Sequence, residues 1–134
     1  MPAAPVLASR ALLAYFRQEP GGERVKELLH QAARADRPLH LTEVNYAEVN
    51  DTIRRRDGEA AWAAAARILE TLPIEFHPVT RPLADTAVGY KARFKISLAD
   101  AFAAALAKER KAELVTDDPA FKALAKEIKI HWLK

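Results

Sequence analysis

Apolar positions fall into two rhythms along this chain. Short runs, alternating or unbroken between turn signals, read as strands: Val6–Leu7, "IEFHPV" (74–79), "ELVT" (113–116) and the closing "IKIHW". Longer stretches with apolar residues every three or four positions read as helices. Ser9 is placed as N-cap of a helix through Phe16, and a second helix runs through Ala35. Thr42 opens a helix carrying "EVNYAEVNDTIRRR", and "EAAWAAAARILETL" forms another that ends at Pro73. Thr80 caps a helix to about residue 94, and Ser97 caps one to about residue 111. "DPAFKALAKE" is a short helix with Pro119 at its first position. "EPGG" and the pair Asp57, Gly58 punctuate these segments.

Strands separated by helices call for a parallel sheet covered on both faces. Such sheets bind ligands beyond the carboxyl ends of their strands, where strand order reverses. Ala8 follows the first strand, and Asp117 and Asp118 follow "ELVT", so all three belong to that edge.

At 134 residues the chain is expected to be a single domain. No cysteine is present, which excludes disulfides and thiolate metal sites and fits a reducing cytoplasm. The longest apolar runs, 60–66 and 101–107, are too short to span a bilayer. No basic segment precedes the first apolar stretch, and Arg10 interrupts it, so no signal peptide is expected. The net charge of +3 tolerates a polyanionic substrate without demanding one.

Acids in unusual settings change the picture. In "SLADAFAAALAKER", Asp100 is the only polar residue between positions 98 and 107, and it shares a helical face with Ala103, Ala104 and Ala107. With Ser97 it resembles a capping box. Yet a helix apolar nearly all round is a buried one, and a buried carboxylate needs a partner or a metal. Glu48 lies off the Tyr46, Val49, Ile53 face, where a solvated position is the plainer reading; Glu43 and Asp51 share that ambiguity. Asp118 before Pro119 is an ordinary N-cap, but one at the ligand edge of the sheet. Three carboxylates from separated segments near one edge suggest a site for a hard ion, Mg²⁺ or Mn²⁺.

Other chemistry is weaker. His30, His40, His77 and His131 are scattered and read as surface or packing residues. Ser9 and Ser97 lack a nucleophile elbow, and the four glycines form no phosphate loop. Arg54 to Arg56, and Lys91, Arg93 and Lys95, read as solvated helix faces, the second group placed to hold phosphate if the site handles RNA.

"VLxSRALLAYF", "NYAEV", "ISLADAFAAALA" and "LVTDDPAF", in this order, resemble the PIN domain of VapC-type toxins from toxin–antitoxin systems, over almost the whole chain. The resemblance implies a three-layer α/β/α fold with a central parallel sheet and a Mg²⁺- or Mn²⁺-dependent endoribonuclease. It further implies a homodimer and a cognate antitoxin whose tail blocks the active-site groove. The family's metal-binding acidic quartet falls on Ala8, Glu48, Asp100 and Asp118, and its hydroxyl residue on Thr116; Asp117 falls at a variable position. Alanine thus stands where the family has its most characteristic aspartate, and Arg10 is a second departure. Ala8 reads as an engineered Asp→Ala change, as natural decay to a pseudo-enzyme, or as a misplaced alignment; the intact flanking motif favours engineering.

The expected function is a ribonuclease toxin impaired by Ala8. The alternative is a non-catalytic PIN-fold module that holds RNA or a protein partner. A phosphate-accepting receiver domain is a third reading, disfavoured because Ala8 and Ser9 supply no acidic pair after the first strand.

Overall fold

The structure, a computed structural model, describes residues 3–133. Five strands, β1 (Val6–Leu7), β2 (Leu39–Thr42), β3 (Ile74–His77), β4 (Leu114–Thr116) and β5 (Ile130–Trp132), form one sheet in the order β3-β2-β1-β4-β5. Every neighbouring pair is parallel. Six helices accompany them among the described residues: α1 (Ser9–Phe16), α2 (Gly22–Ala35), α3 (Glu43–Asp57), α4 (Glu59–Leu69), α5 (Arg81–Arg93) and α6 (Leu98–Arg110). The chain builds β1, β2 and β3 outward in one direction, then returns to lay β4 and β5 on the other side of β1. Strand order therefore reverses between β1 and β4, which opens a crevice at their carboxyl ends.

Alternation along the strands divides the core into two layers. Leu7, Leu39, Leu41 and Val115 pack with Leu12, Val25, Leu29, Val49, Ile53 and Trp62 of α1 to α4. Val6, Ala8 and Leu114 face the other way, onto α5 and α6, with Tyr90, Phe102, Ala103 and Leu106. Burial on both faces is what a parallel sheet requires. α6 is buried from Asp100 to Ala107, and its small side chains bring the helix close to the sheet.

Two glycines are dictated by space and by backbone. A Cβ on Gly22 would stand 2.5 Å from the Ala14 carbonyl oxygen, so the α1–α2 approach needs glycine. Gly58, at φ 97°, joins α3 to α4 in a conformation that L side chains rarely adopt.

Thr42, Thr80 and Ser97 cap α3, α5 and α6 through their side chains, as the sequence predicts. Ser9 does not cap: it is the first residue of α1, Ala8 holds the N-cap position, and the Ser9 hydroxyl is spent elsewhere. Strand β2 was not expected. The turn at Pro119 is a 3-10 segment, Pro119–Leu124, rather than a full helix.

Candidate active site

The crevice at the switch point is a cleft of about 1080 Å³. Arg10, which follows β1, and Asp117 and Asp118, which follow β4, put it at the carboxyl edge of the sheet. Glu48 from α3 and Asp100 from α6 line the same cleft. Three of the predicted positions are therefore together. Glu43 and Asp51 are not; Asp51 is exposed and pairs with Arg55 on its own helix.

Asp100 sits at the buried start of α6, only 7% exposed. Its backbone N–H donates to the Ser97 hydroxyl at 3.0 Å, so the capping reading is correct as far as the backbone goes. The carboxyl does more than cap. Burial, then a hydrogen bond with the Asp118 carboxyl, then the negative charges of Asp118 and Glu48, push its pKa from an ordinary 3.8 up to about 7. The Ser97 hydroxyl pulls weakly the other way. Three carboxyls gathered in this manner form an acidic pocket whose charge a divalent cation would relieve.

Asp118 is held by its own turn. Its N–H donates to Thr116 Oγ1 at 3.0 Å, and its Oδ1 accepts from the Ala120 N–H at 2.9 Å. Thr116, wholly buried, shapes that turn from below and is not part of the cleft wall. Ala8 is 1% exposed and packs in the apolar layer under α6, the helix that carries Asp100. Its N–H donates to the Val115 carbonyl at 3.1 Å, so the ends of β1 and β4 are fastened side by side.

Asn45 is the residue that the sequence reading overlooked. It is fully buried and ties three segments together. Its Nδ2 donates to Ser9 Oγ at 2.9 Å and to the Ala99 carbonyl at 3.0 Å, while its Oδ1 accepts from the Thr42 hydroxyl. The side chain thus fixes α3, which bears Glu48, against the start of α1 and the first turn of α6 beside Asp100. A polar residue three positions before a site acid, on an otherwise apolar face, is the one signal that could have revealed it.

Cations surround the acids. Arg10, Arg17, Arg56, Lys91 and Lys95 line the cleft. Arg10 bonds Asp117 at 2.6 Å across its mouth, and the charges of Asp118 and Asp100 reinforce that guanidinium. Lys91 Nζ donates to the Ile96 carbonyl at 3.0 Å. Arg93, grouped with these by sequence, instead turns to Glu127, and Arg54 and Arg55 pair locally. The histidine reading needs correction: His40 and His77 are not scattered but bonded to each other.

Against known proteins, the model of the PIN domain matches residues 6–127. Solved structures share the fold at low identity. VapBC2 from Rickettsia felis, bound to a promoter DNA fragment, is 14% identical over 98% of this chain and 99% of that one, with a TM-score of 0.77. VapC20 from Mycobacterium tuberculosis, a sarcin–ricin loop cleaving toxin, is 20% identical over 90% and 95%, with a TM-score of 0.72. VapBC-5 from the same organism is 22% identical over 99% of each chain, with a TM-score of 0.63. No curated protein matches the sequence significantly.

Proposed function

Because the chain belongs to the PIN domain family, we propose that it is the toxin of a toxin–antitoxin pair, a metal-dependent endoribonuclease impaired by alanine at position 8. The supporting observation is the cleft itself. Glu48, Asp100 and Asp118 arrive from three elements at the switch point of the sheet and are ringed by five cations. Anionic chemistry at the centre with cations at the rim suits a phosphodiester held by its backbone while an ion works on one phosphate.

The donors are all carboxylate oxygens, which fits Mg²⁺ or Mn²⁺ rather than a nitrogen-loving ion. Glu48, Asp100, Asp118 and an aspartate at position 8 would hold it. When bound, such an ion supplies a water nucleophile at neutral pH and neutralises charge on the scissile phosphate. The protein's own residues do the rest. Ser97 and the Asp118 turn fix two carboxyls, Asn45 holds the helix that presents the third, and Lys91, Lys95 and Arg56 take the flanking phosphates. Arg10 screens Asp117 from the centre.

The proposal extends to a cognate antitoxin, a homodimer and a cytoplasmic setting. VapBC complexes among the structural relatives motivate the antitoxin. It is tested by RNA cleavage. Ala8→Asp protein should cut RNA with Mg²⁺ or Mn²⁺, stop on addition of EDTA, and lose the gain when Asp100→Asn is added; the chain as it stands should be nearly inactive. Ala8 also motivates the second reading, a module that binds RNA or protein without turnover. Tight RNA binding with no cleavage by the Ala8→Asp protein would replace the first reading with that one.

A further inference from the structure

A second cluster stands on the sheet away from the cleft. β2 and β3 pair so that His40 lies opposite Glu75 and Thr42 opposite His77. Paired residues in parallel strands project to the same face, as do residues two apart on one strand, so His40, Glu75 and His77 share a face. His40 Nδ1 lies 2.8 Å from His77 Nε2. Glu75 offers one oxygen 4.0 Å from His40 Nδ1 and the other 3.7 Å from His77 Nε2. Among the described residues, this is the one group of three or more such side chains whose ligand atoms all lie within 4.8 Å of one another.

Those separations suit a metal. One ligand atom from each of the three residues lies within 4.8 Å of the others, close enough that small side-chain rotations bring all three to about 2 Å from a common point, the bond length zinc takes to imidazole nitrogen and carboxylate oxygen. The chemistry agrees. The His40 side chain is nearly buried, and with His77 it offers imidazole nitrogen, a donor that suits ions of the zinc class. Exposure is graded: 6% for the His40 side chain, 15% for His77 and 52% for Glu75. An ion has a route in past Glu75, and solvent can take a fourth coordination position there.

We propose that His40, Glu75 and His77 form a binding site for a divalent transition ion of the zinc class, which clamps the edge strand β3 to β2. Two imidazoles and one carboxylate select Zn²⁺ or Co²⁺ over Mg²⁺ and Mn²⁺, which prefer oxygen. The site is separate from the acidic cleft and stands whether or not the chain is a nuclease.

Full-length protein stripped with EDTA and dialysed is titrated with Zn²⁺ by calorimetry and with Co²⁺ by visible absorption. The wild type should bind one equivalent, gain the intense absorption of four-coordinate cobalt, and melt at a higher temperature with Zn²⁺. His77→Ala and Glu75→Gln, at more exposed positions than His40, should each weaken binding at least about tenfold, since losing a ligand costs no less than losing its outer support. Both should lose the zinc-dependent rise in Tm. Asp100→Asn should leave binding unchanged. A wild type with no saturable Zn²⁺ binding at micromolar concentration overturns the proposal. So does a His77→Ala protein that binds as tightly as the wild type, because the ion then sits elsewhere.

Discussion

Asp100→Asn is the sharpest test of the electrostatics of the cleft. The substitution keeps shape and removes the charge of a carboxyl whose pKa stands at about 7 against an ordinary 3.8. The native state then holds a proton that the unfolded state gives up once pH exceeds about 4. Stability of the metal-free protein must therefore fall as pH rises from about 4 to 7, and level off above. At 1.36 kcal/mol per pH unit the ceiling is about 4 kcal/mol. The cleft is open to water, so screening should reduce it to about 2 kcal/mol. Asn at this position carries no such cost. Urea unfolding in EDTA should show the variant more stable than the wild type at pH 8, the midpoint differing by about 1 M, and the gap narrowing towards pH 5. Excess Mg²⁺ should also narrow it at pH 8 by stabilising only the intact acid set. A gap that stays constant from pH 5 to pH 8 would refute the claim that neighbouring carboxyls and burial load this residue.

Two other substitutions probe the frame. Asn45→Ala removes three buried hydrogen bonds and strands the Ala99 carbonyl; it should cost about 2–4 kcal/mol in urea unfolding. It should also weaken Mn²⁺ binding by the Ala8→Asp protein although Asn45 touches no ion. Gly22→Ala drives a methyl against the Ala14 backbone and should destabilise by about 1–3 kcal/mol, read as a lowered Tm.

Much of this was legible in the sequence because local chemistry and tertiary role coincide. Thr42, Thr80 and Ser97 announce helix starts by composition, and the structure uses each as a cap. The apolar girth of α6 marked it as central, and hence Asp100 as a buried acid. Strand β2 was hidden by its own cap. In "LHLT", Thr42 signals a helix strongly, and His40 and Thr42 look like the wet side of a strand although both are buried. Asn45 escaped because its value depends on Ser9 and Ala99, 36 and 54 residues away. The pairing of His40 with His77 depends on strand register, which no local pattern encodes. Ser9 was misread by one position, since the backbone turns into α1 at Ala8 with no side chain to cap it.

The central claim is that position 8 completes a metal centre with Glu48, Asp100 and Asp118. Its most direct test is Mn²⁺ affinity, measured by electron paramagnetic resonance on the chain as it stands and on its Ala8→Asp variant. A carboxylate added at the end of β1 should tighten binding by about tenfold or more, and Asp100→Asn in that background should cancel the gain. An unchanged Mn²⁺ affinity in a folded Ala8→Asp protein would contradict the account.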